Sequence, residues 1–149
     1  MEEIYMKKYL VIIFISILLS LTTVTSANTE TKNTTIILTV NNQETTAHTI
    51  NNPTSDEFLK LLPLDLELND LLQREKYAQL PQTISDQTEK TKTYEVGYIA
   101  YYPPTNSIAI YYDNDHEEIK EGIIPIAIID NNIDIFKENH EKVRIELIE

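Results

Sequence analysis

Four groups of side chains in this sequence have the types and spacing that chemistry needs. The run Asp113-Asn114-Asp115-His116-Glu117-Glu118 is rich in oxygen ligands, which suits Ca2+. It departs from the helix–loop–helix calcium pattern, however, because Glu118 stands where the sharp turn requires glycine. It therefore reads as a solvated acidic loop between strands. The histidines, His48, His116 and His140, are far apart and share no ligand spacing. No metal site, cofactor or catalytic set is assigned from these residues. Arg74 and Arg144 are the two arginines; Arg74 reads as part of a short helix or turn, and Arg144 as an outward position on a terminal strand, both as surface cations. The tyrosines say more. Tyr94, Tyr98 and Tyr102 share one strand face at period two, Tyr101 joins Ile99 on the other, and Tyr111 and Tyr112 add both parities on a return strand. Cross-strand packing accounts for them by default. The functional reading is an aromatic groove for a peptide, a glycan or a small apolar ligand, because tyrosine offers area with a polar tip. Its ligand-binding residues would be Tyr98, Tyr102 and Tyr112.

These residues need elements to position them. Residues 34–40 (TTIILTV) predict a strand, Asn41-Asn42 a two-residue turn, and residues 43–50 a second, more polar strand at an edge. Thr54 and Glu57 form a capping-box pattern ahead of Phe58, Leu61 and Leu62, and Pro63 ends that helix. Leu64, Leu66 and Leu68 alternate with acidic residues as a short strand. Residues 69–79 read as a short helix or turn, and residues 82–93 as a polar surface loop. Strands are predicted over 94–102, 107–112 and 123–129, with Pro125 at a strand start or bulge, and a last strand carries Val143, Ile145 and Leu147. About seven short strands with one clear helix predict a mostly β fold with one or two short helices, a small, mostly antiparallel barrel or α+β sheet.

Composition narrows the function classes. The 149 residues contain no cysteine, which excludes disulfides, thiol nucleophiles and Cys-ligated zinc. Twelve basic residues against 24 acidic ones give a net charge of −12, which argues against a nucleic-acid partner. The two glycines, Gly97 and Gly122, leave no Gly-rich phosphate loop. Lys7 and Lys8 precede the apolar run 10–21 (LVIIFISILLSL), and Val24-Thr25-Ser26-Ala27 follows. This is the layout of a secretory signal over residues 1–27, with an uncleaved membrane anchor facing outside as the alternative. Either way the domain is expected outside the membrane, touching it only through this segment if uncleaved. Residues 28–33 are a polar linker, and residues 34–149 the folded domain. Glu2 and Glu3 cancel Lys7 and Lys8, so the exported part keeps the whole −12.

Several stretches then occur in a telling order: Phe58-Leu59-Lys60-Leu61-Leu62-Pro63-Leu64, Glu75-Lys76-Tyr77 with Leu80-Pro81, and Gly97-Tyr98-Ile99-Ala100-Tyr101-Tyr102-Pro103-Pro104. Ile108-Ala109-Ile110-Tyr111-Tyr112, Ile124-Pro125-Ile126 and Ile129-Asp130 follow. In these the chain resembles the small prokaryotic proteins of the cyclophilin-like family. The resemblance implies a closed or nearly closed barrel with a helix over one end, and no established activity. Two features depart from the family pattern. Tyr98 follows Gly97 where an acidic residue is usual, and Ala127 and Ile128 stand where Gly and a basic residue are frequent. The cyclophilin likeness also raises proline isomerisation, which needs a preorganised donor on the twisted amide. Neither arginine lies in a recognisable isomerase motif. The expectation is an exported, non-enzymatic binding or interaction module; the alternative is a peptidyl-prolyl cis-trans isomerase or folding helper outside the membrane.

Overall fold

Alternating burial along Thr35–Val40, Gln43–Thr49, Leu64–Glu67 and Lys142–Leu147 turns one face of each strand toward a β-lined core. The computed structural model describes residues 3–4, 33–138 and 142–148. The chain divides into two units, Met1–Glu30 and Thr31–Glu149. In the first, the described residues Glu3 and Ile4 are helical. The apolar run, most of the linker and His140 lie outside the described residues. Among the described residues no helix is long and apolar enough to cross a membrane.

Among its described residues the second unit carries nine strands: β1 Thr35–Val40, β2 Gln43–Thr49, β3 Leu64–Glu67, β4 Asn69–Leu71, β5 Glu75–Gln79, β6 Tyr98–Tyr102, β7 Ser107–Tyr111, β8 Ile124–Ile129 and β9 Lys142–Leu147. They form one antiparallel sheet in the order β3-β9-β1-β2-β8-β6-β7-β5-β4. The sheet curls into a nearly closed barrel, with β3 returning close to β5. Ile36, Leu38 and Val40 of β1, Val143 and Ile145 of β9, and Ile99 and Tyr101 of β6 point into one buried cluster. Each such aliphatic side chain contributes about 1.5–3 kcal/mol by leaving water. The mostly β prediction with a short helix therefore describes the molecule.

Four local expectations are corrected. Residues 69–79 form the β4–β5 hairpin, not a helix. Leu72 and Gln73 turn it with positive φ, and Asp70 Oδ1 accepts from the Gln73 N–H at 3.1 Å. The predicted strand over 94–102 starts at Tyr98, because Gly97 has φ +96° and breaks the extended run. Gly97 still joins the sheet, donating to Tyr111 O and accepting from Ile129 N. The helix α1, Pro53–Leu59, is capped by Asn52, whose Oδ1 accepts from the Ser55 N–H at 2.9 Å. Thr54 is buried instead, with its hydroxyl donating to Ser85 O, and Glu57 accepts from the Ser85 N–H at 2.6 Å. Both thus tie the 82–93 loop to α1. Finally, β2 is not an edge strand, since Ala47, His48 and Thr49 also pair with β8; β3 and β4 are the edges.

Other expectations match. Asn41 and Asn42 both have positive φ in the β1–β2 turn, as a twisted two-residue hairpin loop requires. Pro125 stands opposite Ala100, where the β6–β8 register shifts.

Candidate functional site

The outer face of the barrel wall is covered in one place, and this makes the site. Strand β7 is buried at every position, the mark of a strand with both faces packed. Ile108 and Ile110 face the barrel core, whereas Ala109 and Tyr111 face outward into a second cluster with Tyr94, Ala100 and Ile123. Tyr77, Tyr98, Tyr102 and Ile119 pack against this cluster. The covering layer is the segment before β6 together with residues 113–123. Thr91 and Ile123 exchange two backbone hydrogen bonds at 2.9 and 2.8 Å, and the Ile119 N–H donates to Lys92 O at 2.9 Å.

Between this layer and the sheet lies a groove of about 560 Å3. The register explains its shape. Tyr77 of β5 stands opposite Ala109, and Ala109 opposite Ala100 of β6. Small residues at mid-sheet leave a hollow, while Tyr77, Tyr102 and Tyr111 rise around it. Ile119 and Glu121 of the loop form the far wall. The Tyr102 hydroxyl donates to Glu121 Oε2 at 3.2 Å, linking floor to wall.

A buried polar network closes one end. Glu75 lines the groove yet is only 6% exposed. Arg74, 8% exposed, donates from Nε to Glu75 Oε2 at 3.1 Å and from Nη1 to both Asp115 oxygens at 3.1 and 2.9 Å. Its guanidinium also lies over the Tyr94 ring, 5.4 Å from the centroid. The Tyr94 hydroxyl donates to Asp115 Oδ1, and the Tyr111 hydroxyl hydrogen-bonds Glu75. Burial pushes the Glu75 carboxyl up despite Arg74. Asp115 goes the other way: the Tyr94 hydroxyl, the Glu117 N–H and Arg74 bring it down to about 2. Burial, then the nearby Glu75 charge, pushes the Tyr111 phenol far up.

The surface-cation reading of Arg74 is thus corrected. The β4–β5 turn carries it inward, where it joins Glu75 to the acidic loop. The acidic loop is exposed as expected at Asp113, His116, Glu117 and Glu118, but Asp115 is its anchor. Arg144 is an exposed cation, bonded to Asp65 and Glu146.

The three tyrosines singled out as ligand-binding separate. Tyr102 lines the groove. Tyr98 lies on the same outer face, packed against the second cluster. Tyr112 packs with the barrel core, and its hydroxyl donates to Asp70 Oδ2 at 2.6 Å beside Lys76. Burial raises the Asp70 carboxyl, but hydrogen bonds from Lys76 and Tyr112 outweigh it and hold Asp70 low. Sequence reasoning missed Glu75, Tyr77 and Tyr111 as lining residues. The signal was the odd parity of 75 and 77 against 109 and 111, visible only once β5 is read as a strand. His48 pairs with Asp130 at 2.6 Å on the surface, and His116 lies in the loop with positive φ. Among the described residues no group of three His, Asp or Glu side chains is placed to hold a metal ion.

Comparison with known proteins agrees with this architecture. A hypothetical protein from Archaeoglobus fulgidus, solved in solution, superposes with a TM-score of 0.66 at 15% identity. The match covers 81% of this chain and 99% of the archaeal one, and it speaks to the fold alone. No curated protein matches the chain. The model of the Cyclophilin-like family matches residues 38–147, from β1 through β9, and the chain belongs to that family.

Proposed function

We propose that this protein is an exported, non-enzymatic binding module that holds a peptide in the outer-face groove, against Tyr102, Tyr77 and Ile119. The observation that carries this reading is the groove itself. It is a concave surface of about 560 Å3 that combines Tyr77, Tyr102 and Tyr111 with Leu71, Ala109 and Ile119 and has one buried carboxyl at its end, a mix of apolar area and few placed polar groups that can take small ligands or short segments. Tyr98 supports the groove from the same sheet face.

The state of the arginines favours binding over isomerisation. A twisted X–Pro amide needs a donor aimed into the groove. Arg74 is engaged by Glu75 and Asp115, and Arg144 by Asp65 and Glu146. Export is supported by Lys7 and Lys8, the 10–21 apolar run and the small residues ending at Ala27.

Affinity measurements on Pro- and Phe-containing peptides test the binding reading. Tyr102→Ala should weaken binding about tenfold by removing an aromatic anchor, and an isomerisation assay should show no acceleration. Catalysis abolished by Tyr102→Ala would overturn the non-enzymatic reading in favour of the isomerase. Fractionation with N-terminal sequencing tests export. A chain beginning at Asn28 outside the membrane is expected, an intact membrane-held chain fits the anchored form, and an intact cytosolic chain contradicts both.

A further inference from the structure

We infer that the groove selects a positively charged ligand group, an alkylammonium or guanidinium such as a lysine or arginine side chain presented by the bound peptide. This rests on the groove being the binding site and adds the chemistry it reads. The charges around it are unbalanced. Glu75, Glu118 and Glu121 line the groove, against Arg74 and Lys120. Arg74 does not offset the wall carboxylates, because Glu75 and Asp115 both bind its guanidinium. Lys120 thus stands between Glu118 and Glu121 as the remaining cation of the lining.

The aromatic residues suit the same ligand. Tyr77 and Tyr102 are half-buried, and a cation over a tyrosine face gains electrostatically from the ring quadrupole. Carboxylates beside those rings add direct pairing, and a (CH2)n stem would cover Ala109 and Ile119 while its charged head reaches the carboxylates. The protein already makes such contacts, with Arg74 over Tyr94 and Lys76 over Tyr112. The net charge of −12 favours the approach of a cationic partner at low ionic strength.

The test titrates the full-length protein with acetyl-Ala-Phe-Lys-Ala-amide and with its norleucine and glutamate counterparts. Spermidine, a free amine, forms a separate arm. The lysine peptide should bind about tenfold tighter than the norleucine peptide, the effect of one partly desolvated charge contact. The glutamate peptide should bind more weakly still. Glu121→Gln and Glu118→Gln should each reduce the preference for lysine and its salt dependence. Both sites are exposed, so these variants test the idea even if Glu75→Gln fails to fold. Spermidine binding that competes with the peptide and weakens in Glu121→Gln supports the same ammonium chemistry from a free amine. Equal binding of the lysine and norleucine peptides, still sensitive to Tyr102→Ala, overturns the charge preference and leaves the groove intact. Failure of every peptide to bind overturns the groove reading and this inference together.

Discussion

The ring of Tyr94 stacks on that of Tyr111, with centroids 4.1 Å apart and planes 21° apart. Tyr111 belongs to β7, whereas Tyr94 lies in the segment before β6 that helps cover the sheet. Their stack is therefore a seam between the barrel and its outer layer. Tyr94 is 3% exposed and also holds Asp115, so one side chain joins sheet, loop and Arg74.

Removing this seam should loosen the outer layer before the barrel. Tyr94→Ala is expected to cost about 3 kcal/mol, as truncation of a buried aromatic does, read from denaturant unfolding. Tyr94→Phe keeps the stack and should cost much less. Hydrogen exchange in Tyr94→Ala should rise first at Ile119 and Ile123, while the β1–β9 ladder stays protected.

The two carboxylates on Arg74 should respond to pH in opposite senses. Asp115 is depressed from 3.8 to about 2. Its stabilising contribution is therefore present above 3.8 and lost as pH falls toward 2. Glu75 is raised above its ordinary 4.5. Its ionisation therefore costs stability as pH rises above 4.5, because the folded state holds the proton more tightly. Asp115→Asn should flatten the acid loss of stability, and Glu75→Gln should flatten the decline above 4.5. Melting temperature against pH for the two variants measures both.

Breaking the Arg74–Glu75 pair should be costly. Arg74→Met leaves a buried carboxyl without its cation, at about 3–5 kcal/mol. The double variant Arg74→Met with Glu75→Gln should recover part of that loss, since the uncompensated charge is gone. Chemical denaturation of the parent protein, Arg74→Met, Glu75→Gln and the double variant forms the cycle.

Gly122 should tolerate no side chain. Its φ is +77°, and a Cβ there would sit 3.0 Å from Lys90 Cβ and 3.3 Å from Thr91 O. Gly122→Ala is expected to cost about 1–3 kcal/mol. It should also weaken peptide binding, because Ile119 and Glu121 on the adjoining loop form the groove wall.

The strands of the barrel were legible because alternation is local: TTIILTV and VRIEL carry their inward faces in the residues themselves. Asn41-Asn42 likewise announced its turn. Glu75 to Gln79 was not legible, because EKYAQ has no apolar alternation. Its inward Lys76 is satisfied by Asp70 and by the Tyr112 ring, partners brought together by folding. Asn52 took the cap from Thr54 because Thr54 is used by the 82–93 loop, a tertiary contact that a local capping pattern does not encode. Tyr102 could be singled out from strand parity alone. Arg74 could not, because its burial depends on a hairpin turn and on Asp115 41 residues away.

Tyr112→Phe separates the barrel core from the groove. It removes the donor to Asp70 and should cost about 1–2 kcal/mol in unfolding, with peptide affinity unchanged. Tyr102→Ala should do the reverse, lowering affinity with a small effect on stability.

Peptide binding in the groove is tested most directly by mapping amide NMR shifts while titrating the full-length protein with acetyl-Ala-Phe-Lys-Ala-amide. A peptide held in the outer-face groove should give saturable shifts concentrated at residues 75–79, 102–111 and 118–121, and lost in Tyr102→Ala. Shifts centred on β1, β3 and β9, or none at saturating peptide, would contradict binding there.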